Sequence, residues 1–292
     1  MQLESGSAPV FSTRPSILDR EFDNLAVTME DETLWCTLLP QAPSRWSWSL
    51  LVEMQDVRDY LEDWPVNDSR PAPAFHIIRS RIPGVFSLGG DLTTFLSLIA
   101  ANDKNGLRNY AHSCVELVHA TNCGFSSDIT TIALVEGAAY GGGFEAALSA
   151  QIIVAEESST FGFPELLFGL FPGMGALPLL SQRIPETKAF KLIESARTYS
   201  AAELHDIGII DTVVPDGEGV SAVKDLARRR LRHSSGYRAL RRASYETQFT
   251  RLDAMLRVAD LWVNAALDLS PTNISVMRKI ASAQDRRQEQ AA

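Results

Sequence analysis

This sequence is poor in cysteine and in positive charge, and both shortages exclude whole classes of protein. Its three cysteines form no CxxC pair and have no zinc-like spacing to histidine, which favours free thiols in a reducing cytoplasm. Among 292 residues, 36 acidic against 27 basic side chains give a net charge of −9. Because nucleic-acid phosphates require a basic surface, nucleic acid is excluded as the main partner.

The sequence also lacks a long apolar run. None approaches the roughly 18 residues of a membrane helix, and the first residues contain no basic segment followed by an apolar core. We therefore predict a cytoplasmic protein without a signal peptide and without membrane insertion. Hydrophobic residues make up 45% of the chain and charged residues 22%, which provides ample apolar mass for a globular core.

Three common functional motifs are missing as well. No GK[ST] follows a glycine-rich turn, so there is no P-loop, and the glycines near position 140 lack the GxGxxG spacing of a dinucleotide-binding unit. The absence of GxSxG argues against a Ser–His–Asp hydrolase. His112 and His119 lie two turns apart on one predicted helix, but no third ligand accompanies them, so no metal site is predicted.

Strand-like and helix-like stretches alternate along most of the chain, which predicts an α/β fold with parallel strand pairing. Residues 1–20 are rich in serine and proline and are interpreted as a loose N-terminal arm. Residues 21–217 form the predicted α/β core, which begins with a hairpin over 24–40 and a helix over 47–64. Residues 218–292 have helical patterns without a strand signal and form the predicted C-terminal helical region.

The most informative stretch is Val135 to Gly175, where two glutamates stand among apolar residues. Glu145 follows the glycine triplet 141–143 at the start of a predicted helix, and Glu165 lies in a second apolar segment. A carboxylate in such surroundings is costly to desolvate unless it is paired, hydrogen-bonded or protonated. Two of them predict an acid–base site, although each alone is also explained as a first-turn residue favoured by the helix dipole. The acidic pair at 156–157 is interpreted as a solvated turn.

Two glycine-rich turns precede predicted helices. The triplet 141–143 follows an apolar stretch, and Gly89 and Gly90 precede Asp91, the predicted N-cap of another helix. Backbone N–H groups at a helix start favour negative charge, and glycine lets a ligand approach them closely. The alternative is that each turn only joins a strand to a helix.

Four stretches together resemble the crotonase, or enoyl-CoA hydratase/isomerase, superfamily. They are VFSLGGDL at 85–92, VEGAAYGGGFEAAL at 135–148, FGFPELLFGLFPGMGA at 161–176 and the segment from Tyr199 to Gly208. They occur in the family's order and spacing, and the resemblance covers about residues 70 to 292. Within the superfamily, GGGFEAALS, LLFGLFPGMGA and the N-terminal hairpin and helix look most like the diffusible signal factor synthases, which make cis-2-unsaturated fatty acid signals.

The resemblance implies a fold and a set of residue roles. The fold would be a spiral of ββα units, with C-terminal helices that mediate a homotrimer or hexamer. Glu145 and Glu165 match the family's catalytic glutamates, and the backbone N–H groups of Leu88 and Gly142 are assigned to an oxyanion hole for a thioester carbonyl. The residues expected to contact the substrate are Gly89, Gly90, Gly141, Phe163, Leu166 and Phe171. Leu167 and Phe168 are further candidates to line an acyl tunnel. The alternative for each of the apolar side chains is that it is a plain core residue.

The implied function is synthesis of a cis-2-unsaturated fatty acid quorum-sensing signal. Such an enzyme dehydrates a 3-hydroxyacyl-carrier-protein thioester and then hydrolyses the thioester, without a metal or another cofactor. Two glutamates in one apolar pocket are expected to titrate as a pair, one ionised and one protonated. Two other hypotheses stay open: an enoyl-CoA hydratase or isomerase of fatty-acid metabolism acting on acyl-CoA, and an interaction protein that restrains a sensor kinase.

Overall fold

A computed structural model describes the ranges 16–64, 70–125, 129–232, 235–237, 239–240, 243 and 251–291, and all structural statements concern these residues. Most of the predicted N-terminal arm, residues 1–15, lies outside them. The end of that arm is packed structure, because Ile17–Asp19 form a 3-10 turn and Ile17 is buried in the core.

The larger of two β-sheets consists of β1 (Leu25–Glu30), β2 (Thr33–Leu38), β3 (Phe75–Ser80), β5 (Thr130–Val135), β7 (Ile152–Glu156) and β10 (Thr212–Val214), in that spatial order. The first two strands form the predicted antiparallel hairpin, and the later neighbours pair in parallel. β5 and β7 are buried along their whole length, as their largely apolar sequences require in a sheet covered on both faces.

The smaller sheet consists of β4 (Val85–Ser87), β6 (Ala138–Tyr140), β8 (Thr160–Gly162) and β9 (Thr198–Ser200), with the last strand antiparallel. In each of the successive pairs β3–β4, β5–β6 and β7–β8, the first strand belongs to the larger sheet and the second to the smaller one. Helices follow each pair. This repetition of a ββα unit confirms the predicted fold class.

The helices surround the two sheets. They are α1 (Trp48–Glu62), α2 (Leu92–Ala100), α3 (Lys104–Asn122), α4 (Gly142–Ser149), α5 (Ala176–Ser181), α6 (Glu186–Glu194), α7 (Ala201–Asp206), α8 (Gly219–Leu231), α9 (Leu252–Leu267) and α10 (Pro271–Ala291). The side chain of Asp91 caps α2 as predicted, and Ser200 and Glu203 form the predicted capping box of α7.

The C-terminal helices pack against the core of the same chain. Asp260 on α9 accepts hydrogen bonds from Arg108 on α3 at 2.5 Å and lies 2.9 Å from the ring nitrogen of His112. Trp262 on α9 packs edge-on against Phe95 on α2, with ring centroids 5.0 Å apart. The predicted C-terminal helical region therefore packs against helices α2 and α3 of the α/β core.

The prediction for the acidic pair at 156–157 is wrong for its first member. Glu156 is the last residue of β7 and is buried, and its Oε1 accepts backbone hydrogen bonds from Gly217 at 2.8 Å and Gly219 at 3.3 Å. Glu157 is exposed. The partners of Glu156 lie more than 60 residues away along the chain, so local sequence could not identify them.

Candidate active site

The turn between β6 and α4 depends on Gly141. Its φ of 53° and ψ of −126° lie in a region that residues with a side chain avoid. An ideal Cβ at this position would lie 2.4 Å from the Oε1 atom of Glu165. Gly141 therefore makes the turn and also lets the Glu165 carboxyl group lie against the backbone at the start of α4.

Glu145 lies in the first turn of α4, with 1% of its surface exposed. Its Oε1 atom accepts hydrogen bonds from the backbone N–H groups of Met174 at 2.8 Å and Ala176 at 3.0 Å. Burial raises the pKa of Glu145 to about 7, and these hydrogen bonds, with one from Gly175, act in the opposite direction. The group therefore titrates near neutral pH, and three backbone donors favour its ionised form.

Glu165 begins a 3-10 turn, Glu165–Phe168, after β8. Its Oε2 atom is buried and has no hydrogen-bond partner in the described part of the chain. Burial raises the pKa of Glu165 well above its usual range, the negative charge of Glu145 raises it further, and only a hydrogen bond from its own backbone lowers it. Glu165 therefore holds its proton to higher pH than an ordinary glutamate, whereas backbone donors favour the ionised form of Glu145, so their environments favour opposite protonation states.

The loop 88–91, between β4 and α2, has one backbone N–H group left for a ligand. The other three donate hydrogen bonds within the chain: Leu88 to the Ser44 carbonyl at 2.6 Å, Gly89 to Ser87 Oγ at 3.2 Å, and Asp91 to the Tyr110 hydroxyl at 3.2 Å. The N–H group of Gly90 has no acceptor among the described residues. Because Gly90 is half-buried and lines a cavity, this group is a candidate ligand donor.

This arrangement corrects the expected oxyanion hole. Leu88 is not an available donor, since its N–H group donates to the Ser44 carbonyl, whereas the N–H group of Gly90 has no acceptor among the described residues. The expectation that the Leu88 N–H group is free for a ligand is wrong, because the sequence alone did not reveal an acceptor 44 positions earlier in the chain. Leu88 instead lines the cavity described below.

Gly142, the other residue assigned to the oxyanion hole, also has an unpaired backbone N–H group, which is the first of α4 and has no acceptor in the described ranges. An ideal Cβ on Gly142 would lie 3.5 Å from the Gly90 nitrogen, and one on Gly89 would lie 3.1 Å from the Gly142 nitrogen. The backbones of the two glycine-rich turns thus meet, and their free N–H groups can converge on one oxygen atom.

Two adjoining cavities meet at Glu165. The outer cavity, of about 380 Å³, reaches from Gly90 and Gly141 to the inward face of α10. The inner cavity, of about 60 Å³, is lined by Glu145, Glu165 and Gly142 together with apolar side chains. A ligand that enters through the outer cavity can therefore reach both carboxyl groups and both free N–H groups.

The structure places the expected acyl-tunnel residues differently. Phe163 is buried, stacks on Phe144 with ring centroids 4.8 Å apart, and lines the outer cavity, as do Leu167 and Phe168. Leu166 is 42% exposed, and Phe171 is half-buried against the core. Neither of these two lines the inner or the outer cavity as the described residues define them. Their assignment to an acyl tunnel stays a prediction.

Two absences complete the picture of the described chain. Its residues include no group of three or more histidine, cysteine, aspartate or glutamate side chains that could hold a metal ion. None of the helices that the structure describes is long and apolar enough to cross a membrane.

The profile of the enoyl-CoA hydratase/isomerase family matches residues 66–264 of the chain. The chain belongs to this family. Its curated relatives include a probable mitochondrial enoyl-CoA hydratase 2 of Arabidopsis thaliana, 32% identical over 154 residues that cover 52% of this chain and 48% of that protein. A probable enoyl-CoA hydratase of Bacillus subtilis is 33% identical over 143 residues, or 49% of this chain and 53% of that protein. The chain spans about half the length of these curated relatives.

Solved structures extend the similarity over most of the fold. DspI of Pseudomonas aeruginosa has a TM-score of 0.68 and 25% identity, with 81% of this chain and 93% of that chain covered. An enoyl-CoA hydratase from Bacillus halodurans has a TM-score of 0.72 and 18% identity, with 89% of this chain and 100% of that chain covered. At 18% identity the second likeness concerns the fold alone.

In this member of the hydratase/isomerase family, two residues at the site were not predicted from the sequence. Trp46 donates its indole N–H to the Gly142 carbonyl at 3.1 Å, and Gln284 on α10 donates to the Leu88 carbonyl at 2.8 Å. Gln284 shares a helical face with Ile280 and Arg287, and all three line the outer cavity. A glutamine on such a helical face can be recognised in the sequence as a candidate site residue, whereas no local pattern distinguishes Trp46 from a core tryptophan.

Proposed function

We propose that the protein adds or removes water across the Cα–Cβ bond of an acyl thioester. One observation carries this proposal: Glu145, held by backbone N–H donors, and Glu165, whose buried Oε2 atom is unpaired among the described residues, lie beside the free backbone N–H groups of Gly90 and Gly142. A thioester oxygen between these donors can carry the negative charge of an enolate. A neighbouring carboxylate can take a proton while a neighbouring carboxylic acid gives one.

Dehydration of a 3-hydroxyacyl thioester uses each group once. The ionised Glu145 removes the α-proton, and the electron pair moves into an enolate held by Gly90 and Gly142. The double bond then forms between Cα and Cβ, and the β-hydroxyl leaves as water with the proton of Glu165. The reverse sequence adds water to an enoyl thioester.

The more specific form of the proposal is synthesis of a free cis-2-unsaturated fatty acid signal from a 3-hydroxyacyl-carrier-protein thioester. After dehydration Glu145 is protonated and Glu165 is ionised. Glu165 can then activate a water molecule to attack the thioester carbonyl, and Glu145 can protonate the departing thiolate. The same N–H groups hold the tetrahedral oxyanion, and both glutamates regain their starting states. The likeness of GGGFEAALS and LLFGLFPGMGA to signal synthases supports this form.

A second candidate is an enoyl-CoA hydratase that returns a CoA-bound product. It is favoured by the names of the curated relatives from Arabidopsis thaliana and Bacillus subtilis. It requires the same glutamates and donors but not the hydrolytic step.

Product analysis separates these hypotheses. Purified protein is incubated with a medium-chain 3-hydroxyacyl-carrier-protein, with the matching 3-hydroxyacyl-CoA, and with the enoyl-CoA. Free cis-2-enoic acid from the carrier-protein substrate supports the signal synthase. Interconversion of hydroxyacyl-CoA and enoyl-CoA without free acid supports the hydratase. Conversion of none of the three contradicts the catalytic proposal and favours an interaction protein, for example one that restrains a sensor kinase.

A glutamine series tests the site itself. Glu145→Gln and Glu165→Gln should each lower turnover by at least about 100-fold, since positioned acid–base groups contribute 10²–10⁴-fold. Glu157→Gln, at an exposed glutamate, is the matched control and should retain activity.

A further inference from the structure

Trp46 contacts both turns that carry the free N–H groups. It lies between β2 and α1 and is buried, with 4% of its surface exposed. Its backbone N–H donates to the Gly89 carbonyl at 2.9 Å, and its indole N–H donates to the Gly142 carbonyl at 3.1 Å. One residue therefore joins the loop after β4 to the start of α4, which lie about 50 residues apart in the sequence.

The contact with Gly89 sets the direction of the Gly90 donor. The Gly89 carbonyl and the Gly90 N–H belong to one peptide unit, and in a trans peptide these two bonds point in opposite directions. No cis peptide occurs in the part of the chain that the structure describes. The hydrogen bond from Trp46 to the carbonyl therefore fixes the N–H group on the other side of the unit, whose nitrogen would lie 3.5 Å from an ideal Cβ on Gly142.

The contact with Gly142 holds the second donor close to the first. The indole ring packs against this glycine, because an ideal Cβ on Gly142 would lie 3.5 Å from the Cδ1 atom of Trp46. The indole hydrogen bond orients the peptide that follows Gly142, at the point where α4 begins. Loss of that bond would loosen the position of Gly142, and with it the N–H group that this residue contributes at the start of the helix.

Tyr110 on α3 fixes Trp46 from the other side. Its hydroxyl group donates a short hydrogen bond to the Trp46 carbonyl and accepts one from the Asp91 N–H at 3.2 Å. The backbone of Trp46 is therefore engaged at both its N–H and its carbonyl group. A residue held in this way can transmit a fixed geometry to its neighbours.

We propose that Trp46 is a positioning residue that sets the separation and direction of the Gly90 and Gly142 donors. This inference rests on the proposed function, in which the two donors hold a thioester oxygen. Trp46 lies outside residues 66–264, the range that the hydratase/isomerase family profile matches. The N-terminal segment thus contributes to the site through Trp46, although the Trp46 side chain touches no reacting atom.

Trp46→Phe tests the proposal because it removes the indole donor and keeps most of the buried ring. Trp35→Phe is the matched control: Trp35 is 5% exposed, its indole nitrogen has no partner in the described chain, and it packs in a separate hydrophobic cluster. Tyr110→Phe removes a single oxygen atom and is the second variant, in case Trp46→Phe does not fold.

Hydrogen exchange is the first measurement and does not depend on any substrate. Trp46→Phe should accelerate amide exchange in both 88–91 and 141–145, whereas Tyr110→Phe should accelerate it mainly in 88–91. Trp35→Phe should leave both segments as in the unmodified protein. Unchanged exchange in Trp46→Phe would overturn the proposal. If the unmodified protein converts no thioester, the proposed function fails while this result still decides the role of Trp46.

Turnover is the second measurement. If Trp46 positions the donors, Trp46→Phe should lower kcat about tenfold or more with little change in KM, because the interaction lost matters most in the transition state. A bound enoyl thioester should also show a smaller shift of its carbonyl stretching frequency than in the unmodified protein. A variant with faster exchange but unchanged kcat and carbonyl frequency would contradict the positioning role.

Discussion

At the scale of single residues, Glu145 and Glu165 predict how activity depends on pH. In the proposed mechanism the active form has Glu145 ionised and Glu165 protonated. Burial raises the pKa of Glu145 to about 7 and that of Glu165 well above its usual range. We expect kcat/KM to rise with an apparent pKa near 7 and to fall at higher pH, with both limbs belonging to the coupled pair. A profile that is flat from about pH 5 to 9 would contradict the two-carboxyl mechanism.

The raised pKa of Glu165 also predicts that the folded protein loses stability as the pH rises. Its pKa is higher in the folded than in the unfolded protein, so the unfolded state loses this proton first as the pH rises. The stability contribution of the protonated group is complete below about pH 4.5 and declines as the pH rises towards the folded-state pKa. Glu165→Gln should therefore raise Tm relative to the unmodified protein at pH 8 but not at pH 4. An equal effect at both pH values would show that the carboxyl group is not held protonated.

His76 predicts the opposite pH dependence. It is 1% exposed, neither ring nitrogen has a partner in the described chain, and burial lowers its pKa from 6.5 to about 4. As the pH falls from about 6.5 to 4, the unfolded state takes up this proton first, so stability is lost, by roughly 3 kcal/mol at most. His76→Leu should remove this loss. Urea unfolding of both proteins at pH 7.5 and pH 5 measures it, and equal losses in both would exclude His76 as the cause.

At the scale of secondary-structure elements, a substitution in the turn before α4 can be compared with one in another turn to distinguish the effect of backbone strain from an effect on catalysis. Gly141→Ala places a side chain at φ 53° and within 2.4 Å of the Glu165 carboxyl group. Gly208→Ala places one at φ 84° with no atom within 4 Å. Both variants should lose about 1–3 kcal/mol of stability from strain. Only Gly141→Ala should also lose most of its turnover, and equal activity in the two would mean that the contact with Glu165 is unimportant.

The elements that the sequence predicts correctly are those with local signals. Asp91 caps α2 and Ser200 caps α7 because their side chains reach backbone N–H groups within three residues. The three-residue strands β6, β8 and β9 are too short to display a periodicity, and they went unpredicted.

The two glutamates of the candidate site were predictable because charge in an apolar stretch is visible in a sequence. The free N–H group of the loop 88–91 was not, because the choice between Leu88 and Gly90 depends on which N–H group already has an acceptor. That acceptor, the Ser44 carbonyl, is set by tertiary packing. Trp46 belongs to the same class, since both of its carbonyl partners lie far along the chain.

At the scale of the whole molecule, the candidate site is assembled from both ends of the chain. The N-terminal segment 42–46 and the C-terminal helix α10 meet over the loop after β4. Gln288 accepts from the Ser44 N–H at 2.5 Å and donates to the Ala42 carbonyl at 3.0 Å, while Asp285 pairs with Arg45 at 2.6 Å. Stability and catalysis should therefore be linked through α10.

Large apolar side chains remain exposed on this assembled molecule. Phe190 is 57% exposed and Leu261 is 62% exposed. Such side chains are candidates for contacts between copies of the chain. The homotrimer or hexamer that the family resemblance implies stays a prediction.

Gln284 tests the link between the ends of the chain and the site. Its amide donates to the Leu88 carbonyl at 2.8 Å and to the Gly90 carbonyl at 3.4 Å, on either side of the free Gly90 N–H. Gln284→Leu keeps the approximate shape but leaves these carbonyls unpaired, which costs about 1–3 kcal/mol. We expect a lower Tm together with a lower kcat, whereas Lys279→Leu, at an exposed position of α10, should change neither. A lower Tm with unchanged kcat would mean that α10 supports the fold without holding the geometry of the Gly90 donor.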